Sequence, residues 1–148
     1  MAENLDPTDW AILAELQRDG RMPLTELARR VNLSASATTE RVRRLEATGV
    51  ITGYRAEVDL AKVGYAVLAV VRLKYPGSQH QPLHRLLEER TEILECLRTT
   101  GDDCYTLKVA AASMAHLEKV VDQLAQFGST TTNVVYSQTL PYRGPVGG

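Results

Sequence analysis

Between Arg21 and Arg55 the chain carries seven cationic side chains, Arg21, Arg29, Arg30, Arg41, Arg43, Arg44 and Arg55, against three acidic ones, Glu26, Glu40 and Glu46. This local excess of four positive charges lies in a protein whose formal net charge is −1. All seven cations are arginine, whose planar fork pairs with phosphate and with the edge of guanine. Neutralising backbone phosphates releases condensed counterions, so a compact basic segment of this kind suits DNA. A solvated helix face fits the charge equally well, and spacing has to decide between them. A second candidate group is Thr100-Gly101-Asp102-Asp103-Cys104. A glycine at a turn exposes backbone N–H groups suited to a carboxylate, and Asp102 or Asp103 offers a partner for an ammonium. A hairpin turn with two solvated acids is the plainer reading of the same residues. Other chemistries leave no pattern. His80, His84 and His116 are scattered over a loop and two helices, without a Ser-His-Asp set, a phosphate-cradling loop or an HExxH spacing. Cys96 and Cys104 form no CxxC and have no nearby histidine pair, so buried thiols are expected and neither a disulfide framework nor a zinc site. The expectation is therefore no metal, no cofactor and no enzymatic activity.

The basic segment needs helices to present it. Asp6-Pro7 is a helix start, with Asp6 as N-cap and Pro7 at the first helical position, and Ile12, Leu13 and Leu16 give an apolar face before Gly20. Leu24-Thr25 opens a short second helix with Leu27, Ala28 and Val31 on one side. After the turn Asn32-Leu33-Ser34, Ser34 caps a third helix that runs to about Thr48 and stops at Gly49. Its inward stripe is predicted as Ala35, Thr38, Val42 and Leu45. Two helices joined by a three-residue turn that buries Leu33, with the small Ala28 near their crossing, make a helix-turn-helix. Ser36, Thr39, Glu40 and Arg43 follow the i, i+3, i+4, i+7 spacing and share the outer face of helix three, flanked by Arg41 and Arg44. Val50 to Val58 reads as a short hairpin or wing that offers Arg55 to a phosphate. The plainer alternative is a three-helix bundle with a solvated arginine face.

The stretches "LDPTDWAILAELQRDGR" and "TELARRVNLSASATTERVRRLEATGVITGY" resemble, without a gap over about residues 5 to 59, the family of the leucine-responsive regulatory protein and AsnC. The most specific piece is "ERVRRLEATGVI". The resemblance implies a sequence-specific transcriptional regulator that binds double-stranded DNA through Ser34, Ser36, Thr39, Glu40, Arg41, Arg43, Arg44 and Arg55.

From Tyr65 the pattern changes to alternating apolar residues, ended by Pro76-Gly77. A helix opens at Pro82. Strands from Ile93 to Thr100 and Cys104 to Ala112 flank the Gly101-Asp102-Asp103 turn. Ser113 caps a further helix closed by Phe127-Gly128, and a last strand spans about Thr130 to Leu140. Strand, helix, strand, strand, helix, strand is the ferredoxin-like order. The fold class is thus α+β, with a winged helix-turn-helix in residues 1–60 and a ferredoxin-like βαββαβ domain in residues 61–148. In the family such a domain mediates dimers and larger homo-oligomers and binds amino acids between subunits. The resemblance then covers about residues 5 to 142. It implies an effector site at Thr100, Gly101, Asp102, Asp103 and Cys104, together with Thr130, Thr131 and Thr132. Two positions depart from the family's effector loop, since Asp103 stands for an aromatic residue and Cys104 for the usual aspartate.

With 44% hydrophobic and 24% charged residues the composition is that of a globular chain. The longest nearly apolar stretch, Gly64 to Val71, is far below the roughly 20 residues of a membrane span, and the acidic Met1 to Asp6 lacks a signal-peptide pattern. No membrane partner and a cytoplasmic location are expected. Two competing functions stay open at this level: an architectural protein that organises DNA without an effector, and an enzyme that handles amino acids, which leaves the helix-turn-helix unexplained.

Overall fold

The computed structural model describes residues 4–147 of the 148. The acidic opening Met1 to Asp6 thus lies partly outside the described residues. Two compact units are present: Met1–Glu57 with Leu140–Gly148, and Val58–Thr139. The division falls close to the boundary expected near residue 60, and residues 140–147 group with the first unit.

In the first unit α1 is Pro7–Arg18, α2 is Leu24–Arg30 and α3 is Ala35–Ala47. The start of α1 is a full capping box: the Asp6 side chain accepts from the Asp9 N–H at 2.8 Å, and Asp9 returns the bond to the Asp6 N–H at 3.2 Å. Ser34 caps α3 as expected by accepting from the Ala37 N–H at 3.2 Å. Between α2 and α3 the turn bends at Asn32, whose φ of 55° is the left-handed conformation that asparagine tolerates better than most residues. Ile12, Leu27, Val42 and Leu45 make the buried centre, with Leu5, Leu13, Leu16, Met22, Val31, Val50 and Ile51 packed around it. Truncating one of the buried leucines to alanine costs about 2–5 kcal/mol. Two expectations fail here. Ala35 is exposed, because burial on α3 begins one turn later at Thr38. Residues 50–58 form no strand, so the expected hairpin is an irregular segment. The segment 140–147 runs along α1, where Gln17 Nε2 donates to the Pro145 carbonyl at 3.0 Å.

The second unit holds β1 (Val67–Lys74), α4 (Gln81–Glu89), β2 (Ile93–Arg98), β3 (Tyr105–Ala111), α5 (Met114–Ala125) and β4 (Ser129–Val134), after a single 3₁₀ turn at Ala61–Val63. The sheet order is β2-β3-β1-β4 with every neighbour antiparallel. Side chains alternate across a strand, so one face of this sheet is set by Ala69, Val71 and Leu73 of β1 and by Tyr105, Leu107 and Val109 of β3. All six are buried in one core with Leu83 of α4 and Leu117, Val120 and Leu124 of α5. Both helices therefore cover the same face. The opposite face carries Leu68, Val70, Arg72 and Lys74 of β1, and no element of this unit lies on it. The last strand ends at Val134, six residues short of the expected Leu140.

Candidate nucleic-acid interface and effector loop

Helix α3 turns its polar residues outward because Thr38, Val42 and Leu45 are committed to the core. Ala35, Ser36, Thr39, Glu40 and Arg43 line an open concavity of about 500 Å³ on that face. The expected four-residue face is therefore assembled, with Ala35 added to it. The Thr39 hydroxyl donates to the Ala35 carbonyl at 2.8 Å, and the Ser34 and Ser36 hydroxyls lie 3.2 Å apart. The three arginines of α3 have different fates. Arg43 is exposed and, among the described residues, has no acidic partner. Arg41 and Arg44 point to the start of α1. Arg41 Nη1 lies 2.6 Å from Asp6 Oδ2 and 2.8 Å from Asp9 Oδ1, and Arg44 Nη2 lies 2.7 Å and 2.6 Å from the two Asp9 oxygens. Asp9 is only 1% exposed. Arg41, and after it the Asp9 N–H, hold the Asp6 carboxyl below the usual carboxylate range. Arg29 and Arg30 on α2 likewise pair with Glu26, and Arg30 also with Glu15. Much of the positive excess read from the sequence is thus balanced within the domain. In the irregular segment after α3, the Arg55 guanidinium stands 5.9 Å from the centre of the Tyr142 ring, within cation–π range.

The residues expected to form an effector loop fall into two groups. Asp103 lies 3.6 Å from Arg72, and Asp102 lies 3.6 Å from Lys74, so both acids meet the cations at one end of the open sheet face. Gly101 makes the turn at φ 101°, a conformation open to glycine, while Thr100 is exposed with no side-chain bond. Cys104 faces the other way. Its sulfur accepts from the Tyr75 N–H at 3.4 Å and lies 3.6 Å from the Tyr75 carbonyl, which ties the base of the loop to the end of β1. Thr130, Thr131 and Thr132 pair with Leu73, Arg72 and Val71, so alternation splits the three. Thr131 shares the open face with Arg72, and Thr130 and Thr132 belong to the helix-covered side. The two cations were not found from the sequence, although the period of β1 places them on one face.

The histidines assemble no catalytic set. His80 Nδ1 is 2.8 Å from the Tyr105 hydroxyl, His84 Nε2 is 3.5 Å from it, and His116 Nε2 lies 2.9 Å from Glu92. Neither cysteine is in a disulfide, and no cluster of three metal-ligating side chains occurs among the described residues.

Comparison with known proteins places this geometry. A family model described as winged helix-turn-helix DNA-binding matches residues 5–52, and one described as the Lrp/AsnC ligand binding domain matches residues 68–145. The chain belongs to the Lrp/AsnC family. The HTH-type transcriptional regulator LrpC of Bacillus subtilis is 34% identical over 90% of this chain and 93% of its own length. LrpA of Mycobacterium tuberculosis is 38% identical over 95% and 91%. The solved structure of B. subtilis LrpC superposes with a TM-score of 0.90 at 32% identity, covering 95% of this chain and all of that one. A feast or famine regulatory protein from M. tuberculosis, solved with L-methionine, gives 0.88 at 33% identity and covers 97% and 99%. As an Lrp/AsnC member the chain is a DNA-binding transcriptional regulator and not an enzyme, with the α+β architecture expected of it. No described helix is long and apolar enough to cross a membrane.

Proposed function

We propose that this Lrp/AsnC regulator binds its operator as a dimer, reads it with the outer face of α3, and alters that binding when an α-amino acid occupies the open sheet face beside the turn at residues 101–103. The observation that carries the sensing role is the meeting of Asp102 and Asp103 with Lys74 and Arg72 at 3.6 Å. That separation exceeds a direct N–H···O bond of about 2.7–3.2 Å. A zwitterion supplies both missing partners, its carboxylate to Arg72 and Lys74 and its ammonium to Asp102 and Asp103. Thr131 adds a hydroxyl on the same face, and the turn at Gly101 adds backbone N–H groups. The L-methionine held by the M. tuberculosis relative supports this class of ligand.

Along β1 the same face becomes apolar, where Leu68, Val70, Leu97 and Val135 line a groove of about 170 Å³. Two copies meeting there bury this surface, and two-fold pairing spaces recognition helices by about one DNA turn, roughly 34 Å, or a multiple of it. On α3, Arg43 suits a guanine edge, Glu40 a cytosine amino group and the Thr39 methyl a thymine methyl, and Arg55 suits a phosphate.

Calorimetry with the common amino acids tests the sensing role. Binding is expected in the wild type and lost in Arg72→Ala and Asp103→Ala. Absence of binding by every amino acid at millimolar concentration refutes it. A ligand that binds without changing DNA affinity or oligomer size refutes regulation, because a ligand shifts an equilibrium only by its differential affinity for the two states.

A further inference from the structure

Asp9 is the most deeply buried acid among the described residues of the first unit, and it sits among charges. Its carboxylate accepts from Arg41 at 2.8 Å, from Arg44 at 2.7 and 2.6 Å, and from the Asp6 N–H at 3.2 Å. The two arginines lie three residues apart on α3, so one turn of that helix is clamped by one carboxylate on α1. Arg43 lies between them in sequence, and the step of about 100° per residue turns it away from α1. Of three arginines within four residues, two are therefore drawn off the outer face.

We propose that Asp9 is a positioning residue for DNA recognition. By holding Arg41 and Arg44 against α1 it fixes the pose of α3, keeps two mobile cations from phosphates of any sequence, and leaves Arg43 as the arginine of α3 that meets DNA. The inference rests on α3 being the reading helix. Its physical basis is that each phosphate contact strengthens binding to every sequence and steepens the salt dependence by about one unit of slope, while only base contacts discriminate. Releasing two arginines therefore raises affinity and erodes specificity together. A residue that merely stabilises the fold does neither.

The test uses the full-length protein with two duplexes, one selected by the wild type from a random-sequence pool and one scrambled to the same composition. In Asp9→Asn, binding to the scrambled duplex should tighten, the selected-to-scrambled ratio should fall, and the slope of log K against log salt should steepen by about one unit for each released arginine that reaches a phosphate, up to about four in a dimer. Equal weakening on both duplexes with an unchanged slope overturns the proposal. Should Asp9→Asn fail to fold, Arg44→Met with Asp9 intact decides on the salt slope, which the proposal requires to stay that of the wild type because the clamped Arg44 makes no phosphate contact. Flattening by about one unit places Arg44 on the DNA and overturns it. Arg43→Ala separates the premise from the inference: the premise requires it to lower the ratio or flatten the slope. A silent Arg43→Ala overturns the reading of α3, and the proposal with it.

Discussion

Replacing Arg43 by alanine tests the DNA-reading face with little interference from stability. The side chain is exposed and has no acidic partner among the described residues, so truncation strands no buried charge. Folding stability should change by no more than about 0.5 kcal/mol, as for other surface substitutions. Binding should change far more. A bidentate arginine on a guanine discriminates by about 1–3 kcal/mol, and tenfold corresponds to about 1.4 kcal/mol, so each site loses roughly 5-fold to 150-fold. A dimer carries two copies, and the losses of well-separated sites add, which gives about 2–6 kcal/mol per operator. Fluorescence anisotropy with the selected duplex at several salt concentrations measures this, with thermal melting as the check on folding. A base contact shows as a loss confined to the selected duplex. A phosphate contact shows as equal loss on any duplex with a slope flatter by about one unit per contact. Wild-type affinity and slope in a folded Arg43→Ala protein refute the assignment of α3's outer face to DNA.

At Gly101 a Cβ meets no atom within 4 Å, so the glycine is there for its φ of 101° and not for space. Gly101→Val should lower stability by about 1–2 kcal/mol in thermal melts and Gly101→Asn by less, since asparagine tolerates positive φ; equal costs in the two refute the backbone argument. Val70→Glu puts a carboxylate into the apolar groove of the open sheet face, and light scattering should then find monomers where the wild type is at least dimeric. An undisturbed dimer locates the interface elsewhere. Burial first, and then the bond to Glu46 at 2.9 Å, push the Tyr54 phenol up to about 12. Between its ordinary value near 10 and about 12 the folded chain keeps a proton that the unfolded chain has lost, so this contribution is complete below pH about 10 and fades as pH rises. Tyrosinate absorbance should show a late step near pH 12 that Tyr54→Phe removes.

What the sequence made legible was local or periodic. Asp6-Pro7 and Ser34 start helices where their capping chemistry requires, and the alternation of β1 and β3 separates a core face from an open one. Residues whose setting depends on distant partners were harder to place. Arg41 and Arg44 read as cations of a recognition helix because their acidic partners lie 32 to 35 positions earlier. Asp9 could be seen in sequence only as the third residue of a capping box, which asks for no burial. The hairpin expected over residues 50–58 needed two arms to pair, yet only Val50 and Ile51 of this segment have core contacts to pin it.

Cys104 shows how one substitution separates the two jobs of a loop. The family pattern places an aspartate there, and its absence left the ammonium partner in question. In the structure this position points at the Tyr75 N–H and at the carbonyls of Leu73 and Tyr75, so an ionised carboxylate would gain one donor and face two acceptors. A thiol, a weak donor and weak acceptor, suits that mixed setting better. In the proposed site the negative charge stands instead on Asp102 and Asp103, which face Lys74 and Arg72. Cys104→Asp should therefore destabilise the loop without improving amino-acid binding, whereas Asp103→Asn should weaken binding at unchanged stability. Thermal melts and calorimetry on the same two variants test the division. Tighter amino-acid binding in Cys104→Asp would show that the carboxylate at this position serves the effector after all.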